Sequence, residues 1–248
     1  MGHQHTRVIS KFVKKSKQKD LREEISLIRG KVVNDNLVMT TENTVKSYFV
    51  NKGYLDADVN IVLDEDTSIT NNVIMVINVR VGKRIKVKKI NFYGNASLKS
   101  GKLKRSFKNT KESRPYNIFT TSKYIKSGLA SDLPLVIEKY NEKGFRDAKI
   151  ASDTVYRAEK KNRVIVDINV DEGNKYYFRN IKWVGNTIHP TKRLEKILDI
   201  NKGDVYNKKT LDSRLFMNQN GRDVSSLYLD DGYLFFQVNP VEVKVEND

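Results

Sequence analysis

The stretch NKGYLDADV at Asn51–Val59 returns as EKGFRDAKI at Glu142–Ile150 and as DDGYLFFQV at Asp230–Val238. Each copy is a glycine, an aromatic and then a strand-like run, and self-similarity at a fixed spacing marks a supersecondary unit built several times. The spacing is regular: 144 − 53 = 91 and 232 − 144 = 88 for this glycine. It is 173 − 82 = 91 for the glycines of RVGKR and DEGNK, and 185 − 94 = 91 for the two Gly-Asn pairs.

Between these marks the hydrophobic period changes in a set order. In the middle unit IKVKKINFYGN reads as a strand with imperfect alternation around Val87, Lys89, Ile90 and Phe92, and Gly94-Asn95 turns the chain out of it. Leu98, Leu103 and Phe107 then space a short amphipathic helix with a basic outer face. After the loop SRPYNIFTT, the residues Leu129, Leu133, Val136, Ile137 and Tyr140 form one helical stripe that stops at Gly144. Pro134 inside that stripe sits in a first turn or marks a kink. RDAKIASDTVYRA and RVIVDINVDEG come next as two strands, the second alternating Val164, Val166, Ile168 and Val170, joined through EKKN.

The unit is therefore β-α-α-β-β. The third unit repeats it with the strand YFRNIKWVGN, the helix HPTKRLEKILDI, the helical run KKTLDSRLFMNQNGRDVSSLYLDDG and the strand FFQVNPVEVKVE, and then lacks a second hairpin strand. That shortfall leads to the expectation that the sequence is a piece of a longer polypeptide. The first unit opens on TRVISKFVKK, continues through helices in KDLREEISLIRG and TTENTVKSYFVNKG, and completes its hairpin with DADVNIVLDEDT and NNVIMVINVRVG.

Connection rules then give the topology. The last two strands form an antiparallel hairpin and the first reaches the sheet across two helices. The compact solution is an α+β unit, a three-stranded mixed sheet with both helices on one face. The first strand pairs beside the third, leaving the second as a free edge. The expected domains are 6–82, with an atypical start, 83–173, and 174–248, lacking its last strand, in an elongated array.

Composition narrows the function. With 46 Lys and Arg against 30 Asp and Glu the net charge is +16, which favours nucleic acid, an anionic membrane surface or an acidic protein as partner. The absence of cysteine excludes disulfides, thiol nucleophiles and thiolate metal sites. No run approaches the length of an apolar membrane helix, and MGHQHTRVIS has no apolar signal core. His3 and His5 beside Met-Gly read as an expression-tag remnant. His189, before Pro190 at a helix start, reads as a capping or surface residue, and no phosphate loop, metal-spaced cluster or paired serine accompanies it. No catalytic, cofactor-binding or metal residue is expected, and no cofactor. The acidic runs Asp64/Glu65/Asp66 and Asp230/Asp231 read as solvated turns, with weak cation binding as the alternative.

INFYGN and IKWVGNT opening strands, GDVYN between helices, and KGFRDA or DGYLFF at the end of a second helix resemble polypeptide-transport-associated (POTRA) domains. The resemblance is greatest to the periplasmic arm of the BamA family of outer-membrane protein assembly factors and covers residues 7 to 248. It implies a non-enzymatic scaffold and chaperone module at the periplasmic face of the bacterial outer membrane. The implied partners are unfolded outer-membrane proteins, accessory assembly lipoproteins and a C-terminal β-barrel of the same polypeptide, with an anionic membrane surface as a further candidate. The alternatives are a POTRA arm of a related translocation or secretion transporter, or a basic nucleic-acid-binding protein. Nucleic acid is not expected, because adjacent Phe92 and Tyr93 point to opposite sheet faces and make a poor stacking platform.

A free sheet edge lets an extended client add itself as a strand. The edge candidates are Asp58–Leu63, Lys149–Tyr156 and Val238–Val245. The middle one is preferred for its small residues and comprises Lys149, Ile150, Ala151, Ser152, Asp153, Thr154 and Val155, with blunting by Lys149, Asp153 and Arg157 as the counter-argument. The densest basic run includes Lys88, Lys89, Lys99, Lys102, Lys104, Arg105 and Lys108. Gly53, Gly144 and Gly232 read as left-handed helix ends whose following aromatic folds back on the helix. Trp183 reads as core or rim.

Overall fold

The structure, a computed structural model, describes residues 5–11, 21, 23, 25, 32–69, 72–113, 122–159, 162–216, 218 and 220–242. His3, the loop at 114–121, most of the expected helix over 19–30 and residues 243–245 of the third edge lie outside the described residues. Leu21, Glu23 and Ile25 of that helix are helical. The chain divides into two compact units, one of Met1–Ile90, Lys108–Ser131 and Val155–Val166, the other of Asn91–Phe107, Asp132–Thr154 and Asp167–Asp248.

In the first unit β1 (His5–Lys11), helix α1 (Asp35–Asn51), β2 (Asp58–Glu65) and β3 (Asn72–Arg80) follow one another. The sheet order is β1-β3-β2. β1 runs parallel to β3 with Val8 opposite Met75, and β2 antiparallel with Ile61 opposite Ile77. This is the mixed sheet with the third strand central that the connection rules require. α1 begins earlier than its apolar stripe suggests, because the Asn34 side chain caps it by accepting from the Leu37 N–H at 2.8 Å. Val45, Tyr48 and Phe49 of α1 pack against Val59, Met75, Ile77 and Val79.

The second sheet has the order β4-β6-β5, formed by β4 (Lys86–Tyr93), β5 (Lys149–Arg157) and β6 (Arg163–Asp171). Helices α2 (Ser100–Ser106) and α3 (Lys126–Asn141) lie between β4 and β5 in sequence, and Pro134 falls within α3. Val164, Val166, Ile168 and Val170 of the central strand are all buried, as their alternation predicts. On β4 the burial phase slips by one residue between Val87 and Ile90, in step with the imperfect alternation of its sequence.

Residues 174–242 hold three short helices, α4 (Thr191–Leu198), α5 (Lys208–Leu215) and α6 (Val224–Asp230). The helical run expected over 208–232 is broken in two, because Asp223 caps a new helix by accepting from the Ser226 N–H at 2.9 Å. The two strands expected here do not form among the described residues. Ile181 and Trp183, and likewise Phe236 and Val238, still turn inward at a period of two and pack on Leu194, Leu198, Leu215, Val224 and Tyr228. In each formed sheet the outer strands bond to a central one, and no described residue of the third stretch takes that place.

Candidate functional site

The two outer strands of the second sheet differ in what covers them. On β4 the Val87 N–H donates to the Ser122 carbonyl at 2.8 Å and the Ser113 N–H donates to the Val87 carbonyl at 2.7 Å. The Ile90 N–H donates to the Glu112 carboxylate at 2.9 Å. Glu112, Ser113 and Ser122 therefore satisfy three backbone groups of β4 from outside its sheet. Over Lys149–Val155 of β5 no backbone–backbone bond leaves the sheet among the described residues, and the same holds for β2.

The preferred edge residues lie on β5. Ala151, Ser152, Asp153 and Thr154 are exposed, while Ile150 and Val155 are half-buried. The charges expected to blunt this edge are partly engaged: Lys149 lies 3.3 Å from Asp171 on the neighbouring strand, and Arg157 pairs with Asp56. Ser152 accepts from the Asn169 amide at 2.8 Å. Of the basic run, Lys88 and Lys89 sit on β4, and Lys102, Lys104 and Arg105 on α2, with Lys99 as its N-cap residue and Lys108 just beyond it.

The three recurring glycines end α1, α3 and α6 in one way. At Gly144 (φ +94°) the glycine N–H donates to the Asn141 carbonyl at 3.2 Å and the Phe145 N–H to the Tyr140 carbonyl at 3.1 Å. This doubly bonded left-handed cap needs a residue without Cβ strain. Gly53-Tyr54 and Gly232-Tyr233 make the same pair of bonds. The aromatic folds back each time: Tyr54 on Phe49 at 6.3 Å, Phe145 on Tyr140 at 5.8 Å and Tyr233 on Tyr228 at 6.1 Å, all edge-on.

At two of these caps the glycine carbonyl accepts a bond from a residue about thirty positions further along the chain. In the first unit the Ile85 N–H donates to the Gly53 carbonyl at 2.9 Å and the Tyr124 N–H to the Ile85 carbonyl at 2.8 Å. In the second unit the Tyr176 N–H donates to the Gly144 carbonyl at 2.8 Å and the Tyr206 N–H to the Tyr176 carbonyl at 2.9 Å. Side chains reinforce the second case. Arg146 pairs with Asp147 at 3.0 Å and with Glu242, while the Tyr176 hydroxyl donates to Asp147. That hydroxyl, then Arg146, holds the Asp147 carboxyl below its ordinary range, and Asp147 pushes the Tyr176 phenol up.

His189 is not at the surface: it is 3% exposed, edge-on to Tyr228 at 4.6 Å, with Nε2 3.1 Å from Asp231 Oδ2 but not aligned for a hydrogen bond. A preceding Asn186 that donates to the His189 carbonyl at 3.2 Å tucks the ring under α6. Trp183 packs at the rim of the same core, with its Nε1 buried and without a hydrogen-bond partner among the described residues. Among the described residues no three His, Asp or Glu side chains stand close enough to hold a metal ion. No described helix is long and apolar enough to cross a membrane. Sequence reasoning missed Glu112 and Ser122 on β4 and the junction role of Ile85 and Tyr176, for which no local motif exists.

Comparison with known proteins decides the family. The model for POTRA, described as surface antigen variable number repeat, matches residues 8–82, 85–173 and 176–248. The chain belongs to the POTRA family. Ile85 and Tyr176, which donate to the glycine carbonyls, are the first residues of the second and third POTRA matches. The chain is similar to a Treponema pallidum (strain Nichols) protein named as a candidate outer membrane protein assembly factor, at 25% identity over 90% of this chain and 26% of that one. It is also similar to the outer membrane protein assembly factor BamA of Buchnera aphidicola, at 24% identity over 77% of this chain and 30% of that one. The POTRA chain thus spans under a third of the length of these relatives. Among solved structures, Haemophilus influenzae BamA POTRA3-5 matches with a TM-score of 0.42 and 17% identity over 85% of this chain and 82% of that one.

Proposed function

We propose that residues 6–82, 83–173 and 174–248 are three POTRA modules of an outer-membrane protein assembly factor, acting without catalysis at the periplasmic face of the outer membrane. They receive unfolded outer-membrane proteins, which add a strand to the outer side of β5 over Lys149–Val155, and they dock accessory lipoproteins. The reading rests on similarity to assembly factors over most of this chain. The observation that carries the edge assignment is the contrast within one sheet: β4 has its outward backbone groups bonded by Ser122, Ser113 and Glu112, and β5 has none so bonded among the described residues. An open edge with small exposed side chains gives backbone affinity with little sequence selectivity, which suits varied clients.

The test is photo-crosslinking in cells expressing the full-length protein. A photoreactive residue at Ala151 or Asp153 is expected to capture unfolded outer-membrane proteins, and one at Lys88 on covered β4 is not. Equal capture at all three positions, or none at Ala151 and Asp153 while the protein still supports growth, rejects the edge assignment.

A further inference from the structure

Helices α2 and α4, both in the second compact unit, are built alike. α2 buries Leu103 and, just past its end, Phe107; α4 buries Leu194 and Leu198, each 91 residues on (194 − 103, 198 − 107). The opposite side of α2 carries Lys102 and Arg105, exposed and three residues apart so that they share one stripe, and Lys99, the N-cap residue, is exposed at its start. The matching positions of α4 hold Arg193 and Lys196, with Lys192 beside them, all exposed. Residues 83–111, which include α2, contain no acidic residue.

Arg193 lies 3.4 Å from His189 Nδ1, and the other cations of the two stripes are left open. Among the described residues Lys99, Lys102, Arg105, Lys192 and Lys196 have no carboxylate within ion-pair distance. Other cations of the same unit are closed off: Lys139 by Glu142 at 2.7 Å, Lys208 by Asp212 at 2.8 Å and Arg214 by Asp199 at 3.2 Å.

We infer that the outer faces of α2 and α4 dock on an anionic lipid surface. Charge complementarity is the attraction, and it accumulates over several lysines and arginines near a negatively charged membrane. The shape of the two stripes selects lipid over protein. A protein partner needs apolar or aromatic anchors desolvated at the centre of the contact, and neither stripe carries an exposed aromatic. A Cβ at Gly101, in the middle of the α2 face, meets nothing within 4 Å among the described residues. Long, flexible lysine stems conform to a fluid plane of head groups without a fixed pocket. Nucleic acid would call for stacking aromatics among the cations, which are absent from both stripes.

This inference is independent of the β5 reading, and its assay contains no client protein. The 248-residue chain is sedimented with vesicles of phosphatidylglycerol and phosphatidylcholine and with vesicles of phosphatidylcholine alone. Binding to the anionic vesicles alone is expected, weakened at least tenfold between low and high salt. Charge reversal by Lys102→Glu with Arg105→Glu, or by Arg193→Glu with Lys196→Glu, is expected to lower binding at least tenfold. The pair Lys83→Glu with Lys202→Glu makes the same change in net charge away from both helices and is expected to lower it far less. Unchanged thermal midpoints certify that the variants are folded, and if a double reversal unfolds the protein, Lys102→Ala with Arg105→Ala takes its place. Equal binding to both vesicle types, an equal loss in the control pair, or competition by poly-L-glutamate or an oligonucleotide at concentrations that leave the lipid in excess overturns the inference.

Discussion

The Tyr176 amide donates to the Gly144 carbonyl at 2.8 Å, and 91 residues earlier the Ile85 amide donates to the Gly53 carbonyl at 2.9 Å. One residue thus joins the end of a module's last helix to the start of the next POTRA match, and the glycine both ends the helix and supplies the acceptor.

Glycines in the same cap then differ in their tolerance of a side chain. A Cβ at Gly144 would stand 2.6 Å from Val205 Cγ1 and 3.1 Å from the Tyr176 carbonyl, whereas one at Gly232 meets nothing within 4 Å among the described residues. Gly232→Ala is expected to cost about 1–2 kcal/mol from backbone strain alone, and Gly144→Ala about 1–3 kcal/mol more from the added contact. Urea denaturation compares them, and equal midpoints would contradict the packing at Gly144.

The Asp147 carboxyl titrates below its unfolded value, first because the Tyr176 hydroxyl donates to it and then because of Arg146. A depressed folded pKa contributes stability that is present above the unfolded value and is lost as the pH falls through the folded one. Tyr176→Phe is expected to raise the Asp147 pKa toward the ordinary carboxylate range and to flatten the acid side of the stability profile. Carboxyl-detected NMR titration of Asp147 in both proteins measures this directly.

Glu112 covers the Ile90 amide on β4. Its replacement by alanine is expected to speed hydrogen exchange at Ile90 about tenfold or more, in line with loss of a hydrogen bond to a charged acceptor worth roughly 1.5–3 kcal/mol. Exchange at Val87, whose amide bonds to Ser122, serves as the internal reference.

Within α2, Leu103 is fully buried and Lys102 exposed. Leu103→Ala is expected to cost about 2–5 kcal/mol through lost burial and the cavity left behind, and Lys102→Ala less than about 0.5 kcal/mol. Thermal and chemical unfolding separate the two, and a large loss at Lys102 would show that its outer stripe serves stability.

Much of this architecture is legible in the sequence. Spacings of 91 and 88 residues located Gly53, Gly144 and Gly232, and the aromatic after each one folds back as the motif requires. These are contacts between residues five apart, so local sequence holds all their terms. The alternation of Val164 to Val170 marked a strand with one buried face, and hairpin logic placed it at the centre of its sheet. The third stretch kept the alternation of Ile181 with Trp183 and of Phe236 with Val238 but formed no ladder among the described residues. An inward-facing side chain needs only a core, whereas a strand's hydrogen bonds need a neighbouring strand.

What the sequence determined by itself was the kind of unit, its repetition and the caps that end its helices, because those depend on period, spacing and the φ that glycine permits. The tertiary structure alone decided which edges are open. Glu112 and Ser122 reach β4 from 22 and 35 residues along the chain (112 − 90, 122 − 87) and bond its Ile90 and Val87 amides, whereas Lys149–Val155 of β5 make no backbone bond outside their sheet among the described residues. It also decided that His189 is buried against Tyr228 and that the Gly53 and Gly144 carbonyls carry the junctions. Those outcomes depend on which distant groups arrive at a given amide or carbonyl, and no local pattern records that.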